Sequence, residues 1–304
     1  MKKKSKKFWK KYSRPFSVAL LVVSILTFNL LFRVEIFLRW NVSTTENTFE
    51  NKTANLKKNL FPDGGKELPV KWGDLGQKLV ADGVIDQDLF ESIYVERGGM
   101  NEYEKNLMYG AENNNLKITA ENAGFLLNVF WGLGLSNKNP ILEKGPMQDV
   151  QYGGAGSFAS TGGWTLGVGD AMNHYSMHNF IPLTDEQQIL VEAVSQNIYR
   201  PCCGNSTYFP DCNHGMAMLG FLELMASQNA TEKEMYDAAL ALNSYWFPSN
   251  YLTIASYFEK EGVSWGDVSP VDVLGFNYSS SVGFRQVLSQ VNPVQTQGGS
   301  GCSV

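Results

Sequence analysis

A chain of 304 residues that is 43% hydrophobic and 12% aromatic is too apolar for a disordered polymer and long enough to bury a core. Ten of its 25 Lys and Arg, but one of its 30 Asp and Glu, fall within residues 1–39, so the remainder carries a formal charge of −14. Nucleic acid and anionic lipid are thereby excluded as partners of that larger part, whose acidity is explained by solubility alone.

Residues 1–14 form a basic tail with seven lysines and Arg14, and an uncharged stretch from Pro15 to Phe32 follows. With its flanks, 15–39, it is long enough to cross a hydrocarbon core of about 30 Å as a helix. Trp9 and Tyr12 before the stretch, and Arg33, Arg39 and Trp40 after it, suit the two interfaces. A cleavable secretory signal has the same order of basic and apolar regions, but no small-x-small site follows here, and no nearby cysteine is placed to carry a lipid. The expectation is a single-pass anchor through residues 15–39, with the N-terminus cytoplasmic and the C-terminal part extracytoplasmic. Residues 40–59 are polar and without period, and read as a stalk.

Residues 60–140 read as a helical subdomain. Leu75, Leu79 and Val80, then Leu89, Phe90 and Ile93, recur at helical spacing on either side of Gly83, which predicts two short helices. Another helix is predicted over 119–135, opened by a capping box of Thr119 with Asn122 in place of the usual Glu. Residues 141–290 read as a second helical subdomain, beginning after Asn139-Pro140 with a glycine-dense tract, YGGAGSFASTGGWTLGVGD. Its glycine spacing fits neither phosphate-binding fingerprint, so it is expected to be a mobile surface loop.

All three histidines and three of the four cysteines lie between residues 174 and 214. In GDAMNHYSMHNF, Asp170, His174 and His178 stand four apart, which on a helix stacks them on one face, where two imidazoles can share a metal ion with the carboxylate as ligand or orienter. The pattern also suits a plain amphipathic helix. A helix with a Thr184–Gln187 capping box is predicted next, with Leu190, Val191, Val194 and Ile198 along one stripe, stopping at Pro201. PCCGNSTYFPDCNHG then brings Cys202, Cys203, Cys212 and His214 into one tight loop. The following helix is expected to start at His214 or Gly215, so that its partial positive charge favours the thiolate of Cys212 and makes it the most reactive thiol.

Three readings of this loop stand open. A metal site would join Cys202 or Cys203, Cys212 and His214 to His174 and His178, with zinc suited to thiolate and imidazole, or copper(I) where methionines add to them. A thiol-disulfide site would use Cys203 with Cys212, or the adjacent Cys202-Cys203 pair. A structural Cys203–Cys212 staple in an interaction domain is the third. No carboxylate stands out as a general base, with Asp170, Asp211 and Glu223 as candidates.

The order of helix, cysteine loop and helix, followed by a Thr231–Glu234 capping box, covers residues 184–245. It resembles the thiol-bearing helical hairpin of cytochrome c maturation proteins and small exported bacterial proteins with a Pro-Cys-x-Cys-Gly-Cys loop, through Pro201-Cys202-Cys203-Gly204. That resemblance implies an exported helical domain carrying reactive or metal-bound thiols. Beyond Pro248 one more helix is predicted, with Leu252, Ile254, Ala255 and Phe258 inward, after which the period fades. Residues 291–304 read as a flexible Gly/Ser/Gln tail holding a lone Cys302, and Asn41, Asn51, Asn205, Asn229 and Asn277 begin glycosylation sequons. The fold class expected is mainly α, an N-terminal transmembrane helix followed by a multi-helix extracytoplasmic domain with a Gly-rich loop.

Overall fold

The computed structural model describes residues 23–33 and 53–294. The basic tail, the ends of the expected anchor, residues 40–52 with Asn41 and Asn51, and residues 295–304 with Cys302 lie outside the described residues. The rest of the expected stalk, from residue 53, is helical with Leu56 buried, and the start of the expected tail buries Val294. The chain divides into two units, Met1–Asn55 and Leu56–Val304.

In the first unit, residues 23–33 are helical and their apolar side chains, from Val23 to Phe32, are exposed. Thr27 donates its hydroxyl to Val23 O and Asn29 its amide to Ile25 O, so these two polar side chains are satisfied by the helix's own backbone. No helix among the described residues is long and apolar enough to cross a membrane.

The second unit is mainly helical, with one two-stranded sheet that the helical reading of 60–140 did not include. β1 (Lys66–Gly73) pairs antiparallel with β2 (Glu112–Ile118). Its signal was the alternation of Leu68, Val70 and Trp72 inward with Glu67, Pro69 and Lys71 outward, in a run too short for a helix to claim. Between the strands lie α1 (Leu75–Ala81), α2 (Gln87–Ser92) and α3 (Glu102–Tyr109). Gly83, at φ +72°, makes the predicted break between α1 and α2 in a backbone region that a β-carbon disfavours.

At the centre of the core, α4 (Ala123–Ser136) crosses α7 (Asn213–Ser227), and both are apolar on nearly every face, as a helix enclosed on all sides must be. Gly134 and Gly220 set their approach: a β-carbon on Gly134 would fall 2.1 Å from Met216 O, and one on Gly220 would fall 2.5 Å from Gly134 N. Around this pair stand α5 (Pro140–Lys144), α6 (Asp185–Asn197), α8 (Glu232–Trp246) and α9 (Pro248–Lys260). The capping boxes predicted at Thr184–Gln187 and Thr231–Glu234 both form. Order does not fade after α9: α10 (Pro270–Leu274), α11 (Phe276–Ser279) and α12 (Ser281–Leu288) bury Val273, Leu274 and Val287. These helices are too short to establish a period, which is why sequence spacing missed them.

The glycine-dense tract is an irregular and largely exposed loop, as expected, but it is pinned to the core. It winds through short 3-10 turns and buries Trp164, whose ring meets Trp131 edge-on at 5.0 Å and whose indole N–H donates to Val84 O. Its glycines allow close backbone approach: a β-carbon on Gly163 would strike Ala159 O.

Candidate metal centre

The site is built on the junction between α6 and α7. After α6 ends, the chain folds back on itself, with Tyr208 N–H donating to Ser195 O, Thr207 N–H to Ile198 O, and Ser281 N–H from the start of α12 to Cys203 O. Cys212 is the extended N-cap residue of α7, so its sulfur sits at the end of a fifteen-residue helix where the macrodipole favours negative charge.

Cys202, Cys203 and Cys212 converge: their sulfur atoms all lie within 4.8 Å of one another, with Cys202 Sγ 3.8 Å from Cys212 Sγ. Two thiolates on one tetrahedral zinc ion at about 2.3 Å each would stand about 3.8 Å apart. No fourth His, Cys, Asp or Glu among the described residues belongs to the group, so a tetrahedral ion held there would take its fourth ligand from water or another molecule. Cys202 is exposed, and Cys203 and Cys212 are partly covered.

The group that organises the loop is one that sequence reasoning missed. Arg200 is fully buried, and its guanidinium serves four acceptors: Nε donates to Cys212 Sγ at 3.0 Å, Nη1 to Asn205 O at 3.0 Å, and Nη2 to Phe209 O at 3.3 Å and to Asp211 Oδ1 at 2.6 Å. The other oxygen of Asp211 accepts from the Asn205 amide at 2.8 Å. A lone arginine in a loop has no periodic signal, and the only trace it leaves is Gly215 in the first turn of α7.

Charge follows from these contacts. Hydrogen bonds from the Cys202 and Cys203 thiols, together with the Arg200 guanidinium and nearby His214, hold Cys212 well below the usual thiol range in spite of its burial. Sharing hydrogen bonds with Cys203 and Cys212 pushes Cys202 up, and Cys203 rises to about 11, chiefly because donating to Cys212 and burial outweigh its bond with Cys202. Burial opposes the charge of Arg200, but Cys212, Cys203 and Asp211 outweigh it and keep the guanidinium protonated. Of the three thiols, Cys212 is therefore the one most disposed to ionise, and it is the one that the helix N-terminus and sequence both single out.

Comparison with family models, curated proteins and solved structures yields no match.

No histidine among the described residues joins this sulfur group, although His214 lies close enough to Cys212 to favour its ionised form. His214, in α7, is fully buried with its ring against Phe247 and Trp246, its Nδ1 2.9 Å from Asn213 Oδ1 and its Nε2 without a hydrogen-bond partner. His174 and His178 lie not on the predicted helix but on a 3-10 turn (Ala171–Asn173) and the bend after it, where Ser176 takes φ +56°. Backbone bonds from Ser176 N–H to Leu135 O and from His178 N–H to Ser136 O tie this bend to the end of α4. The two rings still meet, with His174 Nδ1 3.1 Å from His178 Nε2. Asp170 is not their orienter, because its carboxylate accepts from Met172 N–H and caps the turn. Asp82 takes that place, its Oδ2 standing 3.5 Å from His178 Nδ1, while His174 Nε2 lies 3.0 Å from Val168 O.

Glu223, the third carboxylate considered, is buried beside neither group. It accepts from the side-chain amides of Asn137 and Asn139, and burial, the larger effect, pushes its carboxyl up to about 8.

Proposed function

We propose that this protein binds a thiophilic transition metal ion, zinc or copper(I), through Cys202, Cys203 and Cys212. The observation that carries the reading is the convergence of three sulfurs, one of them with a lowered pKa, at the spacing of ligands on one ion. Arg200 supports it in a second way: a buried guanidinium hydrogen-bonded to a metal thiolate offsets part of the negative charge that three sulfurs bring. The reading extends to an ectodomain anchored through residues 15–39, which rests on the lysine-rich N-terminus and the apolar stretch behind it. In that compartment a thiol-disulfide role is the rival, favoured by the 3.8 Å separation of an exposed Cys202 from the Cys212 thiolate.

Purification of the full chain without added metal separates the two. Elemental mass spectrometry is expected to find one equivalent of zinc or copper, lost in a Cys212→Ala variant, with all thiols titratable after denaturation in chelator. Metal-free protein carrying a Cys202–Cys212 disulfide would overturn the metal reading.

A further inference from the structure

We infer that His174 and His178 form a second metal site, separate from the cysteines, for a divalent ion that prefers imidazole, such as Zn2+. Four observations converge on it. Two ring nitrogens, His174 Nδ1 and His178 Nε2, face each other at 3.1 Å. Two imidazoles bound to one ion at about 2.0 Å stand about 3.3 Å apart at the tetrahedral angle and about 2.8 Å apart at a right angle, which brackets the observed spacing.

The outer nitrogens are occupied in the way that metal-bound histidines require. His174 Nε2–H is directed to the Val168 carbonyl, and His178 Nδ1 faces the Asp82 carboxylate. The Val168 carbonyl, which only accepts, sets the His174 tautomer that leaves a lone pair on the inward Nδ1, and the Asp82 carboxylate favours the same arrangement on His178. A hydrogen on His178 Nε2 would satisfy His174 Nδ1 but turn the lone pair of His178 Nδ1 toward Asp82, whereas a metal ion between the rings lets Nδ1 keep its hydrogen for the carboxylate.

The surroundings hold the rings without closing the site. His174 is buried, packed beside Gly83, where a β-carbon would lie 3.8 Å from its Cε1. His178 is partly exposed and stacked on Phe180, with ring centroids 5.0 Å apart and planes 2° from parallel. Water can therefore fill the remaining coordination positions, as it does in open zinc sites.

The site stands independently of the cysteine reading, and a variant with Cys202→Ser, Cys203→Ser and Cys212→Ser tests it directly. Isothermal titration of that variant with Zn2+ is expected to show one equivalent, weakened at least 100-fold by His178→Ala and 10- to 100-fold by Asp82→Asn, the usual cost of losing an outer-shell partner. The chain has three histidines and His214 is buried, so no other accessible imidazole can mimic the result. Should the triple variant not fold, the wild-type protein saturated with Zn2+ is expected to hold one equivalent more than His178→Ala. A Cys-free protein that binds no zinc, or a wild type and His178→Ala with equal zinc content and affinity, would mean that the pair shares a proton only and would overturn the inference.

Discussion

Gly215 makes room for Arg200: a β-carbon at that position would fall 2.4 Å from Arg200 Nη2 and 2.5 Å from its Cζ. A methyl group in the first turn of α7 therefore acts on the sulfur site without touching a sulfur. Gly215→Ala is expected to displace the guanidinium, raise the Cys212 pKa and lower stability by about 1–3 kcal/mol, the usual cost of overpacking. Chemical denaturation and thiolate absorbance at 240 nm, measured on the same sample, check both effects; a normal thiolate signal would show that Arg200 can shift without consequence.

Arg200 itself should be harder to replace. Arg200→Ala leaves Asp211 and the Cys212 thiolate without their cation, and the loss expected for breaking a buried pair from one side is about 3–5 kcal/mol. Arg200→Lys keeps the charge but cannot serve Cys212, Asn205, Phe209 and Asp211 together, because an ammonium lacks the planar fork. It is expected to recover less than half of the stability, as read from denaturant midpoints.

The metal-free protein should carry one thiolate at neutral pH. Cys212 has a lowered pKa, so its contribution to stability is present above the unfolded thiol value and is lost as pH falls through the folded one. A pH titration of absorbance at 240 nm is expected to show one early step that disappears in Cys212→Ser, while Cys203 ionises near pH 11. Three indistinguishable steps near the ordinary thiol range would contradict the proposed hydrogen-bonding of the triad.

Glu223 gives the opposite pH dependence. Its folded pKa is raised from 4.5 to about 8, so its contribution is full below pH 4.5 and is lost as pH rises toward 8. The stability difference between the wild type and Glu223→Gln should therefore change across that window by up to about 1.4 kcal/mol per pH unit. Thermal melts at a series of pH values suffice, and a constant difference would show that Asn137 and Asn139 hold the carboxylate ionised throughout.

The crossing of the central helices can be tested at Gly134. Gly134→Ala places a methyl group against Met216 O, in a contact between two backbones where no side chain can move aside. The expected loss is at least about 3 kcal/mol, at or beyond the upper end of ordinary overpacking, and calorimetry would register it as a large fall in melting temperature.

Most of the helical architecture was legible because its signals are local. Thr184 with Gln187 and Thr231 with Glu234 mark helix starts that form as read. Thr119 and Asn122 exchange the reciprocal bonds expected of a capping box, although α4 begins only at Ala123. Cys202, Cys203 and Cys212 were legible as a group because a short loop bounded by prolines cannot carry them far apart. What escaped depends on contacts distant in sequence. β1 finds its partner only after three intervening helices, and the tract around Trp164 is fixed by Trp131 and Val84. His174 and His178 were paired correctly but for a reason that does not hold, since a bend at Ser176 and the carboxylate of Asp82, rather than a helix and Asp170, bring them together.

Cys212 opens the helix that runs through the middle of the core, and that placement ties chemistry to cohesion. An ion bound as proposed would grip the N-cap residue of α7, so its binding free energy would be added to that of the whole unit, and its departure would loosen the helix against which Gly134 is packed. The melting temperature of the protein would then gauge how full the site is.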